Sequence, residues 1–335
     1  MAKTEFFDIA ARQGFYGLET GGLFGKKDNV RKYWEDISIK INIREFISRV
    51  LERKDKLRIA DLGCGSGEGY ELITHLPFET MSAEAGEFVL RPEDIELYLG
   101  VDISAAMIEA GRKNYEGKPQ VEFMQADLSS DFSFLERGPF DIIFSTYSSP
   151  SHLSEAELSR LLSRIAETHS GEVIVILDLF ARYSAEWPCY WGSGISGMNQ
   201  YTMSWLYLPE RKEPEKDEIY MVKFWGGDEI RSFCSDVARQ AGRKSEVTVR
   251  DRSLLVGRHI DTGYYNHHPM PLRYQVNRLL DRDFCGDVNL LLAARFLNLS
   301  LRLLLKHIRV SGLMRRIGTP SSCIQRRCSA VMTRK

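Results

Sequence analysis

Between Asp61 and Gly69 the chain reads Asp-Leu-Gly-Cys-Gly-Ser-Gly-Glu-Gly, with glycine at every second position from Gly63 onward. Glycine tolerates positive φ and lets a ligand approach the main chain closely, at an entropic cost in any regular element. Such a run predicts a turn shaped around something bound. Two further acids close apolar runs: Asp102 after Leu-Tyr-Leu-Gly-Val, and Asp127 after Val-Glu-Phe-Met-Gln-Ala. A carboxylate can accept two hydrogen bonds from a diol, and it selects an exocyclic amine over a carbonyl.

These residues need elements to hold them. Leu57–Leu62 predicts a short buried strand and Gly69–Leu76 the start of a helix. A strand, a glycine turn and a helix open a doubly wound α/β sheet, whose ligands sit past the carboxyl ends of the strands. The pattern repeats along the chain. Strands are expected at Leu97–Asp102, Val121–Asp127, Phe140–Thr146 and Gly171–Phe180. Helices are expected at Ser104–Tyr115, with Ser104 as N-cap, and from about Ser154 to His169. Strands alternating with helices at this spacing imply a mostly parallel sheet covered on both faces.

Dinucleotide folds share this opening, but their fingerprint fits poorly. Its last glycine position is Glu68 here, and the next strand-end acid, Asp102, lies 35 residues beyond Gly67. An acid at Asp61, ahead of the first glycine, suits a ligand with a cationic end, a ribose diol and an adenine better than a pyrophosphate. Three motifs in order, Asp61–Gly67, Gly100–Ser104 and Gln125–Leu128, resemble those of class I S-adenosylmethionine-dependent methyltransferases. The resemblance covers roughly residues 45–180 and more loosely extends to 258. It implies that Asp61 and the turn at Gly63, Gly65 and Gly67 face the methionine part of S-adenosyl-L-methionine. It implies also that Asp102, beside Ile103, takes the ribose hydroxyls, and that Asp127 takes the adenine amine with Leu128 beside the ring. Ser145 is expected near the cofactor at the end of the fourth strand. The fold implied is a Rossmann-like, doubly wound, mostly parallel seven-stranded sheet, with an antiparallel hairpin lid and helical N- and C-terminal additions.

The acceptor should meet the fourth and fifth strand ends, because methyl transfer depends on alignment of acceptor, methyl and sulfonium. The fourth strand leads into Ser145–Leu153, Ser-Thr-Tyr-Ser-Ser-Pro-Ser-His-Leu, which lacks the Pro-Pro tetrapeptide of nucleic-acid amine methyltransferases. His152 has the ordinary pKa range of a general base for a hydroxyl acceptor; a loop histidine packed at a helix start is the other reading. Tyr147 stands in the same loop. Asp178 ends the fifth strand and is the acid best placed for chemistry. Asp178–Gly194 and Tyr201–Leu208 are rich in aromatic residues, including Trp187 and Tyr190, which would stabilise a cationic centre or simply pack under a lid. Ile219–Trp225 alternates and should pair with the strand at Tyr201. A helix over Gly226–Gly242 and closing strands within Ser245–His259 complete the expected domain.

The remainder carries weaker signals. The chain has 335 residues, 43% hydrophobic and 27% charged, with a net charge of −1, a globular composition. No apolar leader is visible and the six cysteines show no paired spacing, so free thiols in the cytoplasm are expected. From Gly263 onward thirteen Lys and Arg face three Asp. Arg295, Asn298, Arg302, Lys306 and Arg309 form a cationic stripe on an apolar helix. That helix would pack on the domain or a second subunit, or rest on an anionic membrane. The last residues look like a disordered basic tail. His259, His267, His268 and Asp261 fit no metal-site spacing, and no metal is expected. Arg31, on a helix starting near Asn29, could meet a carboxylate. The expected division is a helical cap at 1–55, a cofactor-binding domain at 56–260 with a lid insertion at 181–226, and a basic extension at 261–335.

The leading expectation is methyl transfer to an oxygen or nitrogen of a small molecule, with nucleic acid an unfavoured partner. Two alternatives stand beside it. One is cyclisation or lysis on the aminobutyrate arm of the same cofactor; the other is an RNA- or membrane-associated methyltransferase using the basic C-terminal region.

Overall fold

The computed structural model describes Asp8, residues 35–77, 88–184, 187, 190–192, 194, 197–202 and 219–252. The chain divides into two compact units, Met1–Gly286 and Asp287–Lys335, and every described residue belongs to the first.

Five strands form one parallel sheet: β1 (Leu57–Leu62), β2 (Ile95–Asp102), β3 (Val121–Gln125), β4 (Ile142–Ser145) and β5 (Ile174–Leu177), in the order β3-β2-β1-β4-β5. Their apolar runs follow from burial on both faces. The order reverses at β1, so a crevice opens beyond the carboxyl ends of β1 and its neighbours. Among the described residues the sheet therefore has five strands, where seven were expected of the chain. β6 (Met198–Thr202) and β7 (Ile219–Lys223) pair antiparallel as a separate two-stranded sheet. The hairpin's first strand begins at Met198, three residues before the expected Tyr201.

Helices cover both faces. On α1 (Asp36–Leu51), Ile39, Ile43 and Ile47 recur every four residues and are buried against the sheet. The short α2 (Glu68–Thr74) follows the glycine turn. α3 (Ala105–Asn114) starts as expected at Ser104, whose Oγ accepts from the Met107 amide at 3.2 Å. On α4 (Glu155–Thr168), Ser154 and Glu157 form a reciprocal capping box, and Leu158, Leu161 and Ile165 face the core. α5 (Gly227–Gln240) packs beside α4.

Residues 245–251, expected as a closing strand, join no sheet among the described residues. Side chains hold this stretch instead. Arg231 donates to the Val247 carbonyl at 2.8 Å, and Arg250 pairs with Glu45 of α1 at 2.5 Å. Several expected features lie outside the described residues: the early N-terminal segment with Arg31, the second half of the strand from Tyr201, the strand expected before His259, the histidine group, and the basic extension with its tail.

Candidate active site

The glycine turn is built by the backbone. The amides of Gly63 and Cys64 both donate to the Val101 carbonyl, at 2.7 and 3.1 Å, which folds the turn over the end of β2. Gly67 has φ +95° and caps α2 in the left-handed region, where a Cβ would meet the rings of Tyr115 and Phe123. At Gly69 a Cβ would fall 2.0 Å from a carboxylate oxygen of Asp61. Only a bare backbone lets α2 pass over that acid.

Asp61 is buried at the end of β1 and accepts from the Tyr98 hydroxyl at 2.5 Å. Burial, reinforced by the charges of Asp102 and Glu68, lifts its pKa to about 7. Asp102 is pinned by two amides, one from Gly65 to Oδ2 and one from Ser104 to Oδ1, each at 2.9 Å. Each of its oxygens keeps acceptor capacity for a further donor. Burial raises its pKa as well. Asp127 Oδ1 accepts from the Ser129 amide at 2.9 Å, so the acid is fixed while Oδ2 has no hydrogen bond among the described residues. Ile103 is 46% exposed, an unusual position for isoleucine.

A cleft of about 1460 Å³ joins these groups. Asp61, Gly63, Gly65, Asp102, Ile103, Asp127 and Leu128 all line it, as do Tyr147, His152 and Asp178. The same hollow runs on along β5, α4 and α5 as far as Arg243, so its volume exceeds that of the site itself. Two expected site residues stand apart from it. Ser145 is fully buried and its hydroxyl donates to the Leu62 carbonyl, locking β4 to the end of β1. Gly67 serves the turn and helix start rather than the cleft wall.

The far wall comes from β4, the segment after β5 and the hairpin. Tyr147 and Ser148 are both left-handed, with φ +55° and +64°, a conformation costing non-glycine residues roughly 1–3 kcal/mol each. The Tyr147 hydroxyl donates to Asp36 of α1 at 2.7 Å, which holds the loop. His152 lies 4.9 Å from the Tyr220 ring and 6.4 Å from Phe180. Burial drives its pKa down to about 4, so it is neutral at ordinary pH and holds a proton only weakly. Phe180 stacks near Trp187 at 4.9 Å and Tyr201 at 5.2 Å, while Tyr201 meets Tyr220 at 5.4 Å.

Asp178 is not the unencumbered acid expected from its strand end. Arg252 forms an ion pair with it and also donates to the Ser38 hydroxyl at 3.1 Å. Neither Arg252 nor Asp36 carried a sequence signal, because their partners lie 74 and 111 residues away.

The hairpin is anchored to this wall. The Trp225 amide donates to the Phe180 carbonyl at 2.8 Å and the Arg182 amide to the Trp225 carbonyl at 3.0 Å. Beneath it Lys223, with 0% side-chain exposure, and Arg182 share Glu229 of α5, each at 2.6–2.7 Å.

The fold and site together define an α/β domain whose cleft presents acids where a dinucleotide enzyme would offer amides to a pyrophosphate. Residues 86–169 match a family model described as a methyltransferase domain. The matched segment runs from ahead of β2 to the end of α4 and so includes the strand-end acid Asp102 and Asp127. No curated protein matches it in sequence. Among solved structures it is similar to the YcgJ protein of Bacillus subtilis (19% identity, 42% of this chain and 52% of that one, TM-score 0.30). An S-adenosylmethionine-dependent methyltransferase of Clostridium acetobutylicum shows 13% identity over 61% and 80% of the chains, TM-score 0.39. Magnesium protoporphyrin IX methyltransferase of Synechocystis PCC 6803, with bound S-adenosylhomocysteine, shows 18% identity over 66% and 82%, TM-score 0.35. The chain spans about half the length of the first of these.

The residues fit the cofactor. Asp102 offers two oxygens at the end of β2, Asp127 keeps one open, and Ile103 and Leu128 supply apolar surface beside them. Among the described residues none of Asp61, Glu68 and Asp102 forms an ion pair, so a cationic ligand meets no competing charge from them. When bound, the cofactor supplies an activated methyl group.

Proposed function

We propose that this protein transfers the methyl group of S-adenosyl-L-methionine to an oxygen or nitrogen of a small molecule with an aromatic or apolar body. The observation that carries this reading is the two-sided cleft. Acids and glycine backbone form one wall; His152, Phe180, Trp187, Tyr201 and Tyr220 form the other. Rings at 4.9–5.4 Å from one another make a surface suited to a flat or apolar acceptor and exclude water from the reacting groups. Neutral His152 can accept a hydrogen bond from a hydroxyl or amine acceptor and so orient it, while its lowered pKa leaves it a weak base. Asp178, held by Arg252, positions the loop instead of acting as the base.

The reading is tested by incubating the purified protein with S-adenosyl-L-methionine, with and without a metabolite extract, and identifying the nucleoside product by mass spectrometry. S-adenosylhomocysteine formed only with extract is the expected result. Methylthioadenosine formed without extract would contradict methyl transfer and point to chemistry on the aminobutyrate arm.

A further inference from the structure

Arg252 lines the cleft with 26% of its side chain exposed. One Nη donates to the Ser38 hydroxyl at 3.1 Å and the other to Asp178. Among the described residues this leaves three of a guanidinium's five N–H groups without an acceptor. Asp178 is seated beside the end of β4, its amide donating to the Ser145 carbonyl at 2.9 Å. Ser38 lies on α1 two residues beyond Asp36, which holds Tyr147. The guanidinium is therefore fixed from two sides, near the strand ends where an acceptor must sit. Asp178 balances its charge but takes only one of its donors.

The same wall offers little to an acceptor that must lose a proton. His152 holds a proton only weakly, Asp178 is engaged by Arg252, and the Tyr147 hydroxyl donates to Asp36. A hydroxyl, with a pKa of about 10 or more, attacks well only as its proton is taken. An aliphatic amine is protonated at neutral pH and would face a guanidinium. A carboxylic acid, with a pKa of about 4, arrives already ionised. Its two oxygens also match the planar fork of arginine, which a single hydroxyl does not.

We infer that the acceptor is a carboxylic acid on the aromatic or apolar body proposed above, and that Arg252 binds its carboxylate as a specificity-determining residue. The inference rests on the reading of this protein as a small-molecule methyltransferase. One carboxylate oxygen forms the new O–CH3 bond as the bond from that methyl to sulfur breaks. The electron pair of the broken bond stays on sulfur, and no proton is released. The products are a methyl ester and S-adenosylhomocysteine. The ester has lost the acid's charge, so the guanidinium holds it less strongly and its release is favoured.

The test uses wild-type protein, S-adenosyl-L-methionine tritiated in its methyl group, and the small-molecule fraction of a whole-cell extract. The products are treated with mild base, which cleaves a methyl ester to methanol and leaves methyl ethers and methylamines intact. Most of the transferred tritium should distil as methanol. Tritium transferred to small molecules but stable to base overturns the inference and leaves the methyltransferase reading standing. No transfer to any small molecule brings down both. The acid recovered after base treatment is then titrated calorimetrically into protein saturated with S-adenosylhomocysteine. Arg252→Gln should bind it about tenfold or more weakly, the scale of one hydrogen bond between charged groups. Arg252→Lys should recover part of that loss, since it keeps the charge without the fork. Unchanged affinity of both variants for S-adenosylhomocysteine reports an intact cofactor wall. Equal affinity of wild type and Arg252→Gln for the acid overturns the role of Arg252, even where the product is an ester.

Discussion

At the scale of the residue, the site is a study in carboxylates given different tasks by their surroundings. Asp102 is fixed by two amides and Asp127 by one, so both present defined acceptors. Asp178 is neutralised by Arg252. Asp61 is buried under α2 and, among the described residues, accepts from the Tyr98 hydroxyl alone. Its pKa of about 7 in the fold, against about 3.9 in an unfolded chain, makes a signed prediction. The folded state holds the proton more tightly, so this group's stabilising contribution is complete below about pH 4 and is lost as pH rises to about 7. Urea midpoints measured from pH 4.5 to 7.5 should fall more steeply in wild-type protein than in Asp61→Asn. Parallel profiles would show that Asp61 ionises normally. The strand-end acids and the glycines were legible in the sequence because their roles depend on neighbours in the chain. Ser145 was misjudged because its partner, the Leu62 carbonyl, sits on another strand.

At the scale of the element, the parallel strands were readable because burial on both faces writes them as continuous apolar runs. Helix ends were readable where caps are local, at Ser104 and at Ser154 with Glu157. The hairpin was displaced because Met198, Asn199 and Gln200 join the ladder through backbone bonds opposite Met221–Lys223, not through a side-chain pattern. The alternation at Val247 and Val249 misled for the opposite reason. It marks a segment fitted between two surfaces, with arginines as fasteners rather than a neighbouring strand. The lid depends on Glu229, which joins the buried cations Arg182 and Lys223. Removing one member of a buried charge group costs about 3–5 kcal/mol. Glu229→Ala should therefore lower stability on that scale and loosen the acceptor wall, read as a raised KM for acceptor with cofactor affinity little changed. A variant as stable as wild type, with the same KM, would show that the backbone bonds, aromatic packing and the Lys223–Glu155 pair hold the hairpin without Glu229.

At the scale of the whole molecule, the cleft is assembled from segments far apart in the chain. The cofactor wall comes from three consecutive strand–helix units and could be anticipated. The acceptor wall draws on α1, the loop after β4, the hairpin and Arg252, whose meeting no local pattern announces. That asymmetry explains why the cofactor was legible and the acceptor was not. The ring-lined wall sets the kind of second molecule expected. The most direct measurement uses S-adenosyl-L-methionine bearing a trideuterated methyl group, incubated with the protein and a whole-cell extract. The extract is then separated by size before mass spectrometry. The account predicts the label on an oxygen or nitrogen of a small, ring-bearing or apolar metabolite. Label confined to RNA or protein, or retained in methylthioadenosine, would contradict it.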